Sequence, residues 1–377
     1  MTDLVVMSLE GWDEVWRRNQ YLVAGLLATD PDLRVLFVEP PADPLFDASQ
    51  GRRPTSGQRV AEIPDIADGR LWRYRPIKWL PRRVDARADE RRARSVRKAV
   101  HRLGMPHPLL WINDPSATTL SMQTHWATLY DMTDDWLAAD RPPAELRRIA
   151  TAEEYLLTHA AEVVACSAEL VRRKSPQRPS DHAPITLIPN AVDVMAYRRP
   201  TTRPADLPSG SVAVYVGTLH EDRLDVDLCV DTARALGKDG TLVLVGPNAL
   251  RTAETARLER AGAIVLGPRS RGEVIAYLQH ADVLIVPHLV NGFTDSLDPI
   301  KLYEYQAVGR PVVSTAVAGF RESDSPLISI MDAAVFGAAV ATQAHRPPST
   351  AGQQPIDDWS ERVSRMRQTL GRLTPQA

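Results

Sequence analysis

The chain of 377 residues is poor in several features that would commit it to a particular chemistry. It has only two cysteines, Cys166 and Cys229, which excludes a disulfide framework or a cysteine-built metal site. Both lie in apolar runs (VVACSA and LCVDTA) and read as buried, inert thiols. Net charge is also small, −2, so there is no field for nucleic acid, which needs a strongly basic face. No apolar stretch approaches the roughly 18 residues of a membrane span. The opening MTDLVVMSLEGW carries an acid and no basic n-region, so a signal peptide is not expected and a cytoplasmic protein is. Lysine is scarce as well: Lys78, Lys98, Lys174, Lys238 and Lys301 are the only ones among 45 basic residues. That bias, with 30 prolines, reflects a GC-rich coding sequence more than chemistry.

What is present is a regular alternation. Short apolar runs recur at Leu4–Leu9, Val35–Val38, Leu109–Ile112, Thr128–Met132, Val163–Cys166 and Ile185–Ile188. They resume at Val212–Val216, Leu242–Val245, Ile264–Leu266, Val283–Val286, Pro311–Ser314 and Ile328–Met331. Such unbroken runs fit strands buried on both faces of a parallel sheet. Helical patterns lie between them at Glu14–Ala28, Asp85–Leu103, Glu145–Ala160, Asp225–Leu236, Asn248–Arg260, Arg271–His280 and Ile300–Val308. Strand–helix alternation of this kind predicts an α/β chain of doubly wound sheets. Its length exceeds one core, so two Rossmann-like domains are expected. The Pro-, Ser- and Thr-rich stretch 198–211 marks the boundary, giving domains 1–197 and 211–342. A last amphipathic helix, 357–373, with Trp359, Val363, Met366 and Leu370 on one stripe, is expected to pack back on the first domain. Two such domains facing across a hinge predict a ligand cleft at the carboxyl ends of both sheets.

The segment 70–102 mixes Trp72, Tyr74 and Trp79 with many arginines, a pattern that suits anionic membrane interfaces. Asp85, Asp89 and Glu90 interleave with Arg87, Arg91, Arg92 and Arg94 at helical pairing distances, so a solvated, salt-bridged helix is the preferred reading. Membrane contact is expected to be peripheral at most.

The segment richest in chemistry is Asn291–Thr315, NGFTDSLDPIKLYEYQAVGRPVVST. It reads as a polar loop, a helix opened by Pro299, a stop at Gly309 and a buried strand. A helix N-terminus at Asp295, Ser296, Leu297 and Asp298 offers backbone N–H groups to phosphate or sugar hydroxyls. Lys301, in the first turn, opposes the helix dipole. Either an anionic ligand or a pair with Asp298 or Glu304 accounts for it.

With these pieces the chain resembles the retaining GT-B glycosyltransferases of the family-4 type, bacterial members with a PxKLxEYxAxGxPVV signature above all. YVGTL (215–219), VGP (245–247), ADVLIVPH (281–288) and KLYEYQAVGRPVVST occur in the family's order, as do IPNAVD (188–193) and VWRRNQYLVAGL followed by VLFVEP. The resemblance implies a nucleotide-diphosphate sugar donor of the UDP or GDP type, no required metal or cofactor, and a sugar, glycan or specialised-metabolite acceptor. It places Glu304 on the nucleotide ribose. Where a first glutamate is usual stands Ser296, beside Asp295 and Asp298. Where a Gly-Arg pair is usual stand Gly217 and Thr218, with Arg223 near the place of the family's lysine. Arg223 is expected on the leaving diphosphate, since its planar fork meets phosphate bidentately. A surface arginine near Glu221 and Asp222 is the plainer alternative. Gly246, Pro247, Gly267 and Pro268 end strands where the base would be cupped, though turns alone also use glycine.

In the first domain, Glu10, Gly11 and Trp12 follow the first strand, where a glycine lets backbone approach the donor. Trp12, then Arg18 and Asn19 in the following helix, and Asn113, Asp114 and Asp135 at strand ends, are candidate acceptor contacts. Asp134 is the candidate polar residue on the transferred sugar, so that Arg223, Lys301 and Asp134 form the expected catalytic group. The DxD at 225–227 reads as a helix cap and not a metal site. A nonhydrolysing nucleotide-sugar epimerase and a catalytically degenerate nucleotide-sugar-binding partner protein share the expected architecture and remain alternatives.

Overall fold

The structure is a computed structural model that describes residues 2–13, 16–49, 53–64, 66–80, 84–345 and 355–373. It divides into two compact units, Met1–Pro189 with Trp359–Ala377, and Asn190–Asp358.

The first unit holds eight strands: β1 Thr2–Met7, β2 Leu33–Val38, β3 Gln58–Glu62, β4 Leu71–Arg75, β5 Leu109–Ile112, β6 Thr128–Met132, β7 Glu162–Ala165 and β8 Thr186–Leu187. Their order is β3-β4-β2-β1-β5-β6-β7-β8, parallel except for the β3–β4 pair. Val5 stands between Leu36 and Leu110 in register, and the central strands are covered on both faces, which is why they read as unbroken apolar runs. β3 and β4 (QRVAE and LWRYR) carry no apolar run and escaped the sequence reading. They form one end of the sheet, with β3 at its edge, and most of their residues are only half-buried. The first helix is Arg18–Thr29; the expected start at Glu14 lies outside the described residues. The last helix, Trp359–Gly371, belongs to this unit: Trp359 stacks on Tyr21 at 4.8 Å. A Cβ on Gly25 would stand 2.3 Å from Val363, so this helix pair closes only over glycine.

The second unit has β9 Ser211–Val216, β10 Gly240–Val245, β11 Ile264–Gly267, β12 Val283–Val286, β13 Val312–Ser314 and β14 Ile328–Ile330. They form one parallel sheet in the order β11-β10-β9-β12-β13-β14. The unit starts at Asn190, ahead of the stretch 198–211, because that stretch is tied down. Val192, Tyr197 and Leu207 are buried in its core, and Thr201 donates to Gln279. Helices Arg271–Gln279 and Ile300–Val308 cover one face of the sheet, and Val226–Leu236 with Ala333–Ala344 the other. The Ala333–Ala344 helix is almost wholly small and apolar, so no polar face betrayed it in the sequence. Asp225 caps Val226–Leu236 by accepting from Leu228 N at 2.9 Å, and Asp227 pairs with Arg257.

Candidate functional site

In each sheet the strand order reverses at one place, between β1 and β5 and between β9 and β12. Ligands of doubly wound folds bind outside the carboxyl ends of strands at such points. In the second unit the β9 end is Gly217, with φ +150°. A Cβ there would meet the Tyr215 hydroxyl at 2.9 Å and the Lys301 ammonium at 3.0 Å, so glycine is required by the packing of a cation against the backbone. Gly246 ends β10 with φ +144°, and a Cβ on it would lie 2.1 Å from the Gly217 carbonyl oxygen. Gly246 N–H donates to Gly267 O at 2.9 Å, so Gly217, Gly246 and Gly267 line up along the sheet edge. Thr218, Pro247 and Pro268 are exposed beside them.

Lys301 reaches this edge from the first turn of helix Ile300–Val308. Its Nζ lies 4.2 Å from the centroid of the Tyr215 ring and 3.3 Å from His288 Nε2, just past the end of β12. Tyr215 Oη is 3.1 Å from the same nitrogen. Burial, then the cations Lys301 and Arg223, hold His288 well below the usual imidazole range, so it is neutral and Nε2 accepts. Burial and the neighbouring Arg223 likewise bring the Lys301 ammonium down to about 7. No carboxylate lies within ion-pair distance of Lys301 among the described residues; the pair with Asp298 or Glu304 does not form. Arg223 is half exposed, 5.8 Å over the Phe293 ring, with one contact to Asp222 at 3.3 Å. Two cations thus share one end of the sheet.

The loop before the helix is internally satisfied. Asn291 Oδ1 accepts from Phe293 and Thr294 N–H, and the buried Ser296 hydroxyl donates to Phe293 O at 3.0 Å. Asp295 pairs with Arg321 at 2.7 Å. Asp298 accepts from Asn190 N–H and from the Tyr303 hydroxyl at 2.9 Å, while Leu297 is half-buried between them in sequence. Glu304 accepts from the Tyr197 hydroxyl. Burial raises the Glu304 carboxyl above its ordinary range, and Tyr197, Lys301 and Arg271 oppose that rise.

In the first unit the candidate residues have partners of their own. Arg18, Asn19 and Asn113 are buried. Arg18 forks onto Asp131 at 3.0 and 3.1 Å, Asn19 donates to Asn113 at 3.0 Å, and Asn113 donates to Asp131 O at 2.9 Å. These hydrogen bonds tie the start of helix Arg18–Thr29 to the ends of β5 and β6. Trp12 is buried edge-on against Phe37 at 4.9 Å, and its backbone N–H donates to Glu39 Oε1 at 2.9 Å. Asp135 is buried against Arg173 and Lys174, each at 3.0 Å. Burial disfavours the charged form of Asp114, yet Arg92 at 2.8 Å and two hydrogen bonds from Ser116 hold it below the ordinary range. Asp114 still borders a cavity of about 240 Å³ that also meets Pro41, Lys78, Trp136 and Arg148. Gly11 lies under Arg75, and its carbonyl accepts from Gln20 at 2.9 Å. Asp134 stays half-buried, close to Glu10. Among the described residues no cluster of three His, Cys, Asp or Glu side chains is arranged to hold a metal.

Comparison with known proteins bears on both units. Over 99% of this chain and 99% of the other, the structure is similar to sucrose-phosphate synthase from Thermosynechococcus elongatus, with a TM-score of 0.68 at 17% identity. Anabaena HepE in complex with UDP and glucose gives 0.63 at 14% identity, over 99% and 100% of the two chains. The fold is GT-B. Residues 210–343 match the family model described as "Glycosyl transferases group 1". In sequence the chain is 24% identical over 232 residues to TuaH of Bacillus subtilis (strain 168), named for glycosyl transfer in teichuronic acid biosynthesis. That match spans 58% of this chain and 58% of TuaH, little more than half of either.

On this GT-B frame the glycine edge, Arg223, His288, Lys301 and Glu304 all fall within the matched residues. Three side chains went unassigned in the sequence. His288 sits in the run ADVLIVPH but spatial adjacency to Lys301 was needed to give it a role. Tyr197, distant in sequence from Glu304, had no signal. Glu10, in the first unit, is pushed up to about 7 by burial, with Arg17 opposing and Asp134 and Asp13 reinforcing.

Proposed function

We propose that the protein is a glycosyltransferase that moves a sugar from a nucleotide-diphosphate sugar to a sugar, glycan or specialised-metabolite acceptor, with retention of anomeric configuration and without a metal. The observation that carries this reading is Lys301. It is a half-buried cation with no carboxylate partner among the described residues, set beside Arg223 at the reversal point of the sheet in the unit that matches the group 1 family model.

Breaking the anomeric C–O bond leaves negative charge on the departing diphosphate. Preorganised donors aimed at that charge are the main catalytic lever. Arg223 presents two N–H bonds to phosphate oxygens, and Lys301, near neutral pKa when empty, becomes fully protonated once the anion arrives. Neutral His288 accepts from Lys301 and orients it without cancelling its charge. Glu304, oriented by Tyr197, accepts from the ribose. Gly217, Gly246 and Gly267 let phosphate and base approach backbone, with Thr218, Pro247 and Pro268 at the rim. Asp295 and Asp298 hold the loop, so the sugar is met by backbone N–H groups around Ser296 and Leu297 in place of a carboxylate. Asp134, in the first unit, is assigned to the transferred sugar. HepE, whose complex contains UDP and glucose, supports UDP over GDP as the donor base.

Thermal unfolding with UDP, GDP, ADP and dTDP tests this reading. A ligand at a hundred times its dissociation constant stabilises by about 2.7 kcal/mol. Failure of all four to raise the transition would sink the proposal. Incubation with labelled nucleotide-sugars then separates transfer or slow hydrolysis from isomerisation, and both from binding alone.

A further inference from the structure

The cavity of about 240 Å³ in the first unit opens where that sheet's strand order reverses. Leu9, Pro41, Asp114 and Trp136, just past the carboxyl ends of β1, β2, β5 and β6, wall it together with the helix Pro143–His159. Its charged lining is balanced: Lys78, Arg141 and Arg148 stand against Asp43, Asp114 and Glu145. The Lys78 ammonium sits on Asp43, and Arg141 donates to Glu145 at 2.7 Å. Asp114 accepts from Arg92 at 2.8 Å and from the Ser116 hydroxyl at 2.6 Å. Burial works against the charged form of Asp114, and these donors overcome it, so the wall keeps a carboxylate at neutral pH. Arg141 Cζ lies 5.1 Å over the Trp136 ring, and the buried Arg141 Nε–H has no acceptor among the described residues.

Size and charge together select the occupant. Sites for drug-sized ligands run to roughly 300–1,000 Å³, so a cavity of about 240 Å³ admits one ring and not an extended molecule. An anion entering it meets three carboxylates, and a cation meets three basic side chains. An apolar ring strips water from the ion pairs and returns no hydrogen bond, which is costly. A polyol has neither fault. Each hydroxyl can donate to a carboxylate and accept from an ammonium or guanidinium, replacing the water it displaces. A hydroxyl oxygen is also the acceptor that Arg141 Nε–H lacks. An aromatic wall beside a few convergent polar groups is the usual make-up of a small-molecule site.

We propose that this cavity receives one uncharged pyranose ring, the acceptor end of a glycan or a free monosaccharide. Its hydroxyls meet Asp43, Asp114, Glu145, Lys78 and Arg141, and its ring carbons lie against Trp136. That this sugar is the acceptor rests on the glycosyl-transfer reading; that it binds does not. The test is saturation-transfer NMR of the full chain with methyl glucoside, methyl mannoside, methyl galactoside and methyl N-acetylglucosaminide, each at about 10 mM. Methyl glucuronide, glucose phosphate and phenol serve as the ionised and apolar competitors. At least one uncharged glycoside is expected to bind, about tenfold more tightly than any of the three. Trp136→Leu, and separately Asp43→Asn combined with Glu145→Gln, each weaken that binding about tenfold. Trp136→Leu leaves every ion pair of the wall in place, so the test stands even where the carboxylate variant fails to fold. Thermal unfolding of each variant, with and without UDP, reports that it is folded. The proposal is overturned if no uncharged glycoside binds, if an ionised or apolar competitor binds as well or better, or if the folded variants bind like the parent. Glycoside binding without any nucleotide response strikes the transfer reading and leaves the sugar site. A nucleotide response without glycoside binding strikes the sugar site alone.

Discussion

Lys301→Met is expected to make the empty protein more stable while disabling it. The ammonium falls from its ordinary 10.5 to about 7 on folding, and each pH unit of such a fall is worth 1.36 kcal/mol, so the full cost of holding the charge is about 5 kcal/mol. Water reaches this half-buried group, and the methionine forfeits the contact with the Tyr215 ring; together these leave a gain of about 1–2 kcal/mol. The sign follows from proton linkage. Between pH 7 and 10.5 the unfolded chain holds a proton on Lys301 that the folded chain has released, so parent stability rises with pH across that window. The penalty is fully present below pH 7 and gone above 10.5. The variant lacks it throughout. At neutral pH its transition is expected about 2–8 °C above the parent's, and the gap closes as pH approaches 10.5. Thermal unfolding of both proteins at several pH values reads this directly. A variant less stable than the parent at neutral pH, or a gap that ignores pH, would refute the reasoning that Lys301 is a strained cation kept for an anion.

Other consequences are simpler. Asp131→Ala strands the buried Arg18 guanidinium and is expected to cost about 3–5 kcal/mol, seen as a lowered midpoint in denaturant. Gly25→Ala drives a Cβ into Val363; the helix Trp359–Gly371 should loosen and become sensitive to limited proteolysis while the Asn190–Asp358 unit keeps its nucleotide response. Gly217→Ala, at φ +150° and 3.0 Å from Lys301 Nζ, is expected to displace the ammonium and weaken nucleotide-induced stabilisation about tenfold or more in apparent affinity, a shift of roughly 1.4 kcal/mol.

The sheets were legible because strands buried on both faces must be unbroken apolar runs, and those runs need no knowledge of neighbours. Strands β3 and β4, half-buried at one end of the sheet, carry no such requirement, and the helix Ala333–Ala344 has no polar face to set its period. In the second unit the chemistry lay in order along the chain: glycine at strand ends, Lys301 and Glu304 in one helix. In the first unit polar residues at strand ends read as acceptor contacts, and the structure shows Arg18 paired with Asp131, Asn19 with Asn113 and Asp135 with Lys174 within the unit. Composition cannot distinguish a polar group that faces a ligand from one that closes a buried network. The pairing of Lys301 with His288, and of Tyr197 with Glu304, is likewise a fact of folding and not of spacing.

The central claim is that Arg223 and Lys301 act on the charge that develops as the diphosphate leaves. It is tested most directly by steady-state consumption of the nucleotide-sugar that gives the largest thermal shift, comparing the parent with Arg223→Ala and Lys301→Ala. The account predicts that turnover falls by about a hundredfold in each, the scale for loss of one preorganised donor, with donor affinity changed far less. Near-normal turnover in both variants, with only weaker nucleotide binding, would contradict it.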